Sequence, residues 1–225
     1  MLAYAAPSMA AADPQDPPAP SSDDPRRYVV LAPKVPEGAV ELSALFGEGG
    51  DFELEIGFGR GMFLIERAHA APTSRLLGIE IKNKWAYLVE QRCKRMGLAH
   101  VRAFSGDARD ILLRLQPEAA FARVFMHFPD PWWKKRHEKR RLRGPEMLDA
   151  FARVLRPGGE LYMQTDVEER AEVFVADLRA HHAFDVPEHP YLQDNPYGAR
   201  SNREKRAIED GLPIYRVLAN KRDLS

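Results

Sequence analysis

Residues 52–61 read FELEIGFGRG, and this stretch decides the architecture. Phe52, Leu54 and Ile56 alternate with Glu53 and Glu55, the period-two pattern of a strand. Gly57, Gly59 and Gly61 follow at every second position, and residues 62–70 then read as a helix. Closely spaced glycines let the chain turn tightly and let a ligand approach the backbone without interference from a Cβ. The glycine pattern alone is a weak signal, because a tight turn without a ligand uses the same residues. Its strength lies in what surrounds it.

The alternation continues outward. Residues 76–81 (LLGIEI) are a second expected strand, followed by a helix over 83–96 with Trp85, Leu88, Val89, Cys93 and Met96 on its apolar face. A short strand at 101–104, a helix at 111–115 and a long apolar strand at 123–128 come next. Pro145 suits the first turn of a helix through Met147, Leu148, Phe151 and Leu155, which Gly158 and Gly159 are expected to end. A fifth strand over 160–165, a helix over 167–181 and a last strand over 214–219 complete the series. Strands alternating with helices at this spacing predict an α/β, doubly wound, mostly parallel sheet. Such sheets bind ligands outside the carboxyl ends of their strands, at the topological switch point.

Bulk composition narrows the classes. A chain of 225 residues with 44% apolar and 29% charged residues supports one domain, expected over 28–225, preceded by a tail over 1–27. The tail is rich in Ala, Pro, Ser and Asp, lacks a basic start and a sustained apolar run, and reads as disordered rather than as a signal peptide. No stretch reaches the roughly 20 apolar residues of a membrane span, so a cytoplasmic protein without a membrane partner is expected. The single Cys93 excludes an intrachain disulfide and a Cys-rich zinc site. His69, His181, His182 and His189 show no metal spacing, so no metal is expected. The formal net charge is zero, so any polyanion must be held by local charge.

Acidic residues stand at the ends of the strands. Glu55 precedes the glycines, Glu80 ends the second strand, and Asp107 and Ala108 follow the third in SGDA. An acidic side chain at the position of Glu80 can accept both hydroxyls of a ribose, which suits NAD and an adenosyl cofactor alike. Glu55 favours the latter: it sets a carboxylate where a dinucleotide places its pyrophosphate, whereas a cationic amine or sulfonium tolerates one. Asp107 can accept from an adenine amine while the backbone N–H of Ala108 serves a ring nitrogen. It is equally suited to cap a helix, and the two uses are compatible.

After the fourth strand, residues 128–143 read FPDPWWKKRHEKRRLR. Asp130 sits in a proline-bounded turn followed by Trp132, Trp133 and a basic run in which only Glu138 opposes seven Lys and Arg residues. Acid, aromatics and concentrated positive charge together suit a nucleic-acid base and its phosphates. With these motifs the chain resembles the class I S-adenosylmethionine-dependent methyltransferases, and among them the bacterial tRNA (guanine-N7-)-methyltransferase family. The resemblance runs from about Phe52 to the end. Its most specific part is the block from Phe128 to Arg141, and a later Thr-x-x-Glu-x-Arg pattern appears here as Ser201, Asn202, Arg203, Glu204, Lys205 and Arg206. Ser201 keeps the hydroxyl of the usual Thr, while Arg203 replaces an aromatic.

The resemblance implies a seven-stranded sheet with an antiparallel last strand. It implies S-adenosyl-L-methionine as cofactor, held by Glu55, Gly57, Gly59, Glu80, Asp107, Ala108 and Asp130, and tRNA as partner. Lys134, Asp166, Ser201, Asn202, Arg203 and Glu204 are implied as substrate contacts. Guanine N7 carries a lone pair and no proton, so Asp130 is expected to orient rather than to deprotonate. A carboxylate at Asp166 or Glu204 can read the N1–H and amine of guanine, and Trp132 or Trp133 can stack on the base. The sequence is compatible with a monomer or a homodimer. Another RNA-base methyltransferase, an NAD-dependent oxidoreductase and a non-catalytic RNA-binding protein on the same scaffold are the competing readings. The Pro-Asp-Pro-Trp turn departs from the Asp/Asn-Pro-Pro-aromatic turn of base-amine methyltransferases. Glu55 and the lack of a Tyr-x-x-x-Lys pattern count against the oxidoreductase.

Overall fold

The alternation in residues 52–56 resolves into two sheet faces. Leu54 and Ile56 enter one apolar core, while Glu53 and Glu55 point to the other face beside Phe125 and His127. The computed structural model describes residues 27–47, 49–129 and 145–223. In chain order the elements are α1 (Arg27–Leu31), β1 (Val40–Glu41), α2 (Leu42–Phe46), β2 (Phe52–Ile56), α3 (Met62–Ala70), β3 (Arg75–Glu80) and α4 (Asn83–Arg95). Then follow β4 (Val101–Ser105), α5 (Ala108–Arg114), β5 (Leu115–Gln116), β6 (Phe121–His127) and α6 (Pro145–Val154). The last are β7 (Leu155–Thr165), α7 (Glu168–Ala180), β8 (Phe184–Asp185), β9 (Tyr191–Leu192), α8 (Asn202–Glu209) and β10 (Tyr215–Lys221).

The main sheet runs β4-β3-β2-β6-β7-β10-β8. Strands β4, β3, β2, β6 and β7 are parallel, and β10 is antiparallel to β7. That path has the seven strands and the antiparallel closing strand that the resemblance implies. Strand β9 adds an eighth by pairing with β10, and β1 and β5 form a separate parallel pair. Strands β8 and β9 have two residues each, too few to leave a periodic trace. Direction of travel reverses at β2, which lies between β3 and β6. The switch point is therefore at the ends of β2 and β6.

Helices cover both faces. One core joins Leu54, Ile56, Leu77, Ile79, Val124 and Met126 to side chains of α5, α6 and α7. A second packs Leu76 and Ala103 against Leu64 of α3 and Ala86, Val89 and Cys93 of α4. Each fully buried Leu or Phe contributes about 1.5–3 kcal/mol from apolar area alone. The expected helix stop at Gly158 and Gly159 is not where the helix ends. Helix α6 stops at Val154, and the glycines lie inside β7, where the pairing with β6 is irregular. A Cβ on Gly159 would meet the carbonyl oxygens of Arg156 at 2.8 Å and Phe121 at 3.1 Å, so the glycine serves close strand approach.

Among the described residues, no helix is long and apolar enough to cross a membrane, and no cluster of His, Cys, Asp and Glu could hold a metal ion. The tail up to residue 26 lies outside the described residues, as do Asp130, Trp132, Trp133, Lys134 and the rest of the basic run.

Candidate active site

The glycine turn after β2 is shaped by hydrogen bonds to β3. Gly57 N–H donates to the Ile79 carbonyl at 2.8 Å, and Gly59 N–H donates to Glu80 Oε2 at 2.9 Å. Glu80 Oε1 accepts from Lys82 N–H at 2.9 Å, so one buried carboxylate joins both loops. Each oxygen keeps acceptor capacity, because a carboxylate has about four lone-pair sites. Gly57 and Gly59 have positive φ, and nothing lies within 4 Å of a Cβ built on either. The space in front of them is open to a ligand. Gly61 is different: its Cβ would sit 2.6 Å from Val89 of α4, so that glycine serves packing.

Two concavities meet at this turn. The first is lined by Gly57, Gly59, Glu80, Asp107, Ala108 and Met126. The second is lined by Glu55, Arg60, Asp166, Ser201, Asn202 and Arg203. Gly57, Gly59, His127, Phe128 and Pro129 belong to both. The topology thus collects Gly57, Gly59, Glu80, Asp107 and Ala108 of the expected cofactor residues in one hollow, and Asp166, Ser201, Asn202 and Arg203 of the expected substrate residues in the next; Glu55 lines the second hollow, and Asp130 lies outside the described residues.

Asp107 performs the capping role. Its Oδ1 accepts from Arg109 N–H at 3.0 Å, and its carboxylate pairs with the Arg109 guanidinium, whose pKa is raised chiefly by that hydrogen bond. The side chain still borders the first hollow.

His127 ends β6, and reading the sequence did not single it out. Its Nδ1 lies 2.9 Å from Glu55 Oε1, and both side chains are buried. Among the described residues, Glu55 Oε2 and His127 Nε2 are buried without a partner. Phe63 packs on the imidazole with ring centroids 4.0 Å apart. A buried carboxylate oxygen left unpaired costs about 1–3 kcal/mol or more, so this site suits a cationic donor. The unpaired carboxylate oxygen of Glu55 therefore fits the ammonium of a methionine moiety beside the ribose-type acceptor Glu80. Directly after His127, Phe128 adopts a positive φ of 48°, with its N–H bonded to the Gln164 carbonyl at 2.7 Å. A non-glycine residue held there stores about 1–3 kcal/mol, as is common at functional turns.

The substrate side is built from β7, α7 and α8. Asp166 pairs with Arg203, and Arg170 donates to the Pro129 carbonyl at 3.3 Å. Ser201 caps α8 by accepting from Glu204 N–H at 3.1 Å. Glu204 departs from expectation. It is fully buried, and its carboxylate accepts from Gln164 and Asn195 at 3.0 Å each and from Arg216 at 3.2 Å. Instead of facing guanine it ties the start of α8 to β7 and β10.

The sequence pattern of a family described as putative methyltransferase matches residues 51–217, which spans the sheet and both hollows. The tRNA (guanine-N(7)-)-methyltransferase of Microcystis aeruginosa is 37% identical over 170 residues, covering 73% of this chain and 80% of that protein. The chain belongs to the bacterial tRNA (guanine-N7-)-methyltransferase family. Another relative of that name, from Myxococcus xanthus, is 35% identical over 182 residues, 79% of this chain and 86% of that protein. Solved structures share the fold at lower identity. The 16S rRNA methyltransferase KamB superposes with a TM-score of 0.61 at 16% identity, covering 80% of this chain and 92% of that one. TrmN from Thermus thermophilus does so with 0.54 at 20%, covering 77% of this chain and 44% of that one. The family's sheet is accordingly a Rossmann-like class I methyltransferase sheet.

Proposed function

We propose that the protein transfers the methyl group of S-adenosylmethionine to N7 of a guanine in the tRNA variable loop, giving 7-methylguanosine. The observation that carries this reading is the meeting of the two hollows at Gly57–Gly59 and His127–Pro129. One hollow offers acceptors for an adenosyl group, and the other leads past Glu55 to Asp166 and the start of α8. When bound, the cofactor supplies an electrophilic methyl group.

The protein's task is then positional. Guanine N7 attacks with its own lone pair, so no general base is needed, and alignment of N7, methyl carbon and sulfur governs the rate. Glu80 is proposed to hold the ribose, Asp107 and Ala108 the adenine, and Glu55 with His127 the amine. Asp166, Ser201, Asn202 and Arg203 border the space for the base. By resemblance, Asp130 orients the reactants and Lys134 contacts tRNA. A tRNA substrate supports a cytoplasmic location. Methyl transfer from labelled S-adenosylmethionine to bulk tRNA, followed by nucleoside analysis, tests the reading. Label in 7-methylguanosine supports it, and label in an amine-methylated base points to another RNA-base methyltransferase.

A further inference from the structure

We infer that the exposed face of α4 is a second tRNA-contacting surface, a basic track leading away from the active-site rim; the inference rests on the tRNA reading above. Lys84, Leu88, Arg92 and Arg95 recur at intervals of four, four and three, which places them on one helical face. Lys84, Arg92 and Arg95 are exposed, and the track spans about 16 Å at the helical rise. The only acid in α4, Glu90, is turned inward and accepts from Ala103 N–H at 2.9 Å.

The track joins the site physically. Arg60, which lines the second hollow, lies over the Trp85 ring at 5.4 Å. Arg92 donates to the Arg60 carbonyl at 3.2 Å. Lys84 lies 5.7 Å over the same ring.

The cations of this face are not balanced by acids. Among the described residues, no carboxylate lies at ion-pair distance from Arg60, Lys84, Arg92 or Arg95. Arg114, Arg153, Arg156, Arg203, Lys205 and Arg222 are each matched to an acid, whereas Lys34, Lys82, Arg102, Arg179 and Arg206 share, among the described residues, the unmatched state of the track; what distinguishes the track is its junction with the second hollow through Arg60. In a chain of zero net charge, unmatched cations beside the site are where phosphates can release counterions.

The test compares Lys84→Gln/Arg92→Gln/Arg95→Gln with a control, Arg153→Gln/Arg156→Gln/Arg222→Gln, whose residues lie at the opposite ends of the strands. Binding of bulk tRNA is measured from low to physiological salt, alongside calorimetric binding of S-adenosylmethionine and thermal unfolding. The track variant should lose tRNA affinity at least tenfold. Its log–log salt slope should fall by about 0.9 for each phosphate contact removed, with cofactor affinity retained. Lys84→Glu and Arg95→Glu, singly exposed sites, repeat the test if the triple variant is unstable. An unchanged slope in folded variants, or an equal loss in the control, overturns the inference. If the parent protein fails to methylate tRNA, the substrate reading and the inference fall together. If it methylates tRNA and the slope is unchanged, only the track falls.

Discussion

Glu55 Oε1 stands 2.9 Å from His127 Nδ1 across the ends of β2 and β6, at the point where the strand order reverses. The pair leaves Glu55 Oε2 and His127 Nε2 unmatched among the described residues. Replacing His127 with Phe keeps the ring volume and removes the bond that orients Glu55. A hydrogen bond to a charged group contributes about 1.5–3 kcal/mol, so affinity for S-adenosylmethionine should fall tenfold or more in calorimetry. His127→Asn retains an N–H donor and should recover part of the loss. Equal affinity in the Phe variant contradicts the role.

The glycines separate binding from folding. At Gly57 a Cβ would enter the open hollow, whereas at Gly61 it would strike Val89. Both have positive φ, costing an L side chain about 1–2 kcal/mol. Gly57→Ala should therefore weaken cofactor binding beyond its modest effect on unfolding. Gly61→Ala should lower the unfolding temperature more, through the added overlap. Denaturation and ligand titration of the two variants distinguish these patterns.

Glu204 should behave as a framework residue. Glu204→Ala leaves Arg216 buried beside Gln164 and Asn195 without its carboxylate. Breaking a buried pair costs about 3–5 kcal/mol, or roughly 10 °C in a domain of this size. A variant of unchanged stability with a selective loss of kcat/KM for tRNA would restore a direct role in reading guanine.

Asp166 and Arg203 test the opposite case. The Arg203 side chain is 58% exposed, so the pair should contribute under about 1 kcal/mol to stability. Asp166→Asn should raise KM for tRNA with little change in unfolding. A double-mutant cycle with Arg203→Ala should be non-additive, since Arg203 already occupies that carboxylate.

Cys93 should be inert in the folded protein. Burial first, then the charge of Glu90, pushes its thiol up to about 11. The thiolate is therefore scarce at pH 8, and alkylation should proceed only as fast as unfolding exposes the side chain. Rapid native-state labelling contradicts this.

Local pattern made the framework readable. Gly57 to Gly61 and Asp107 follow a strand within a few residues and Glu80 ends one, so chemistry and position coincide in sequence. His127 was hidden because it ends an apolar strand like any core residue, and its partner lies 72 positions earlier. Glu204 was misplaced for a related reason. Helix α8 reads NREKRAIE, a polar run whose only buried members are Glu204 and Ala207, and the cation that buries Glu204 sits on β10. Long-range pairing of polar groups leaves no periodic mark. The expected stop at Gly158 and Gly159 falls beyond the end of α6 at Val154, because a double glycine that serves strand packing looks like a helix stop.

The central claim is methyl transfer to guanine N7. The decisive measurement is nucleoside analysis of bulk tRNA after incubation with the full chain and methyl-labelled S-adenosylmethionine. The account predicts label in 7-methylguanosine, lost in Glu55→Ala and Glu80→Ala proteins that remain folded. Cofactor binding without label in 7-methylguanosine would contradict it.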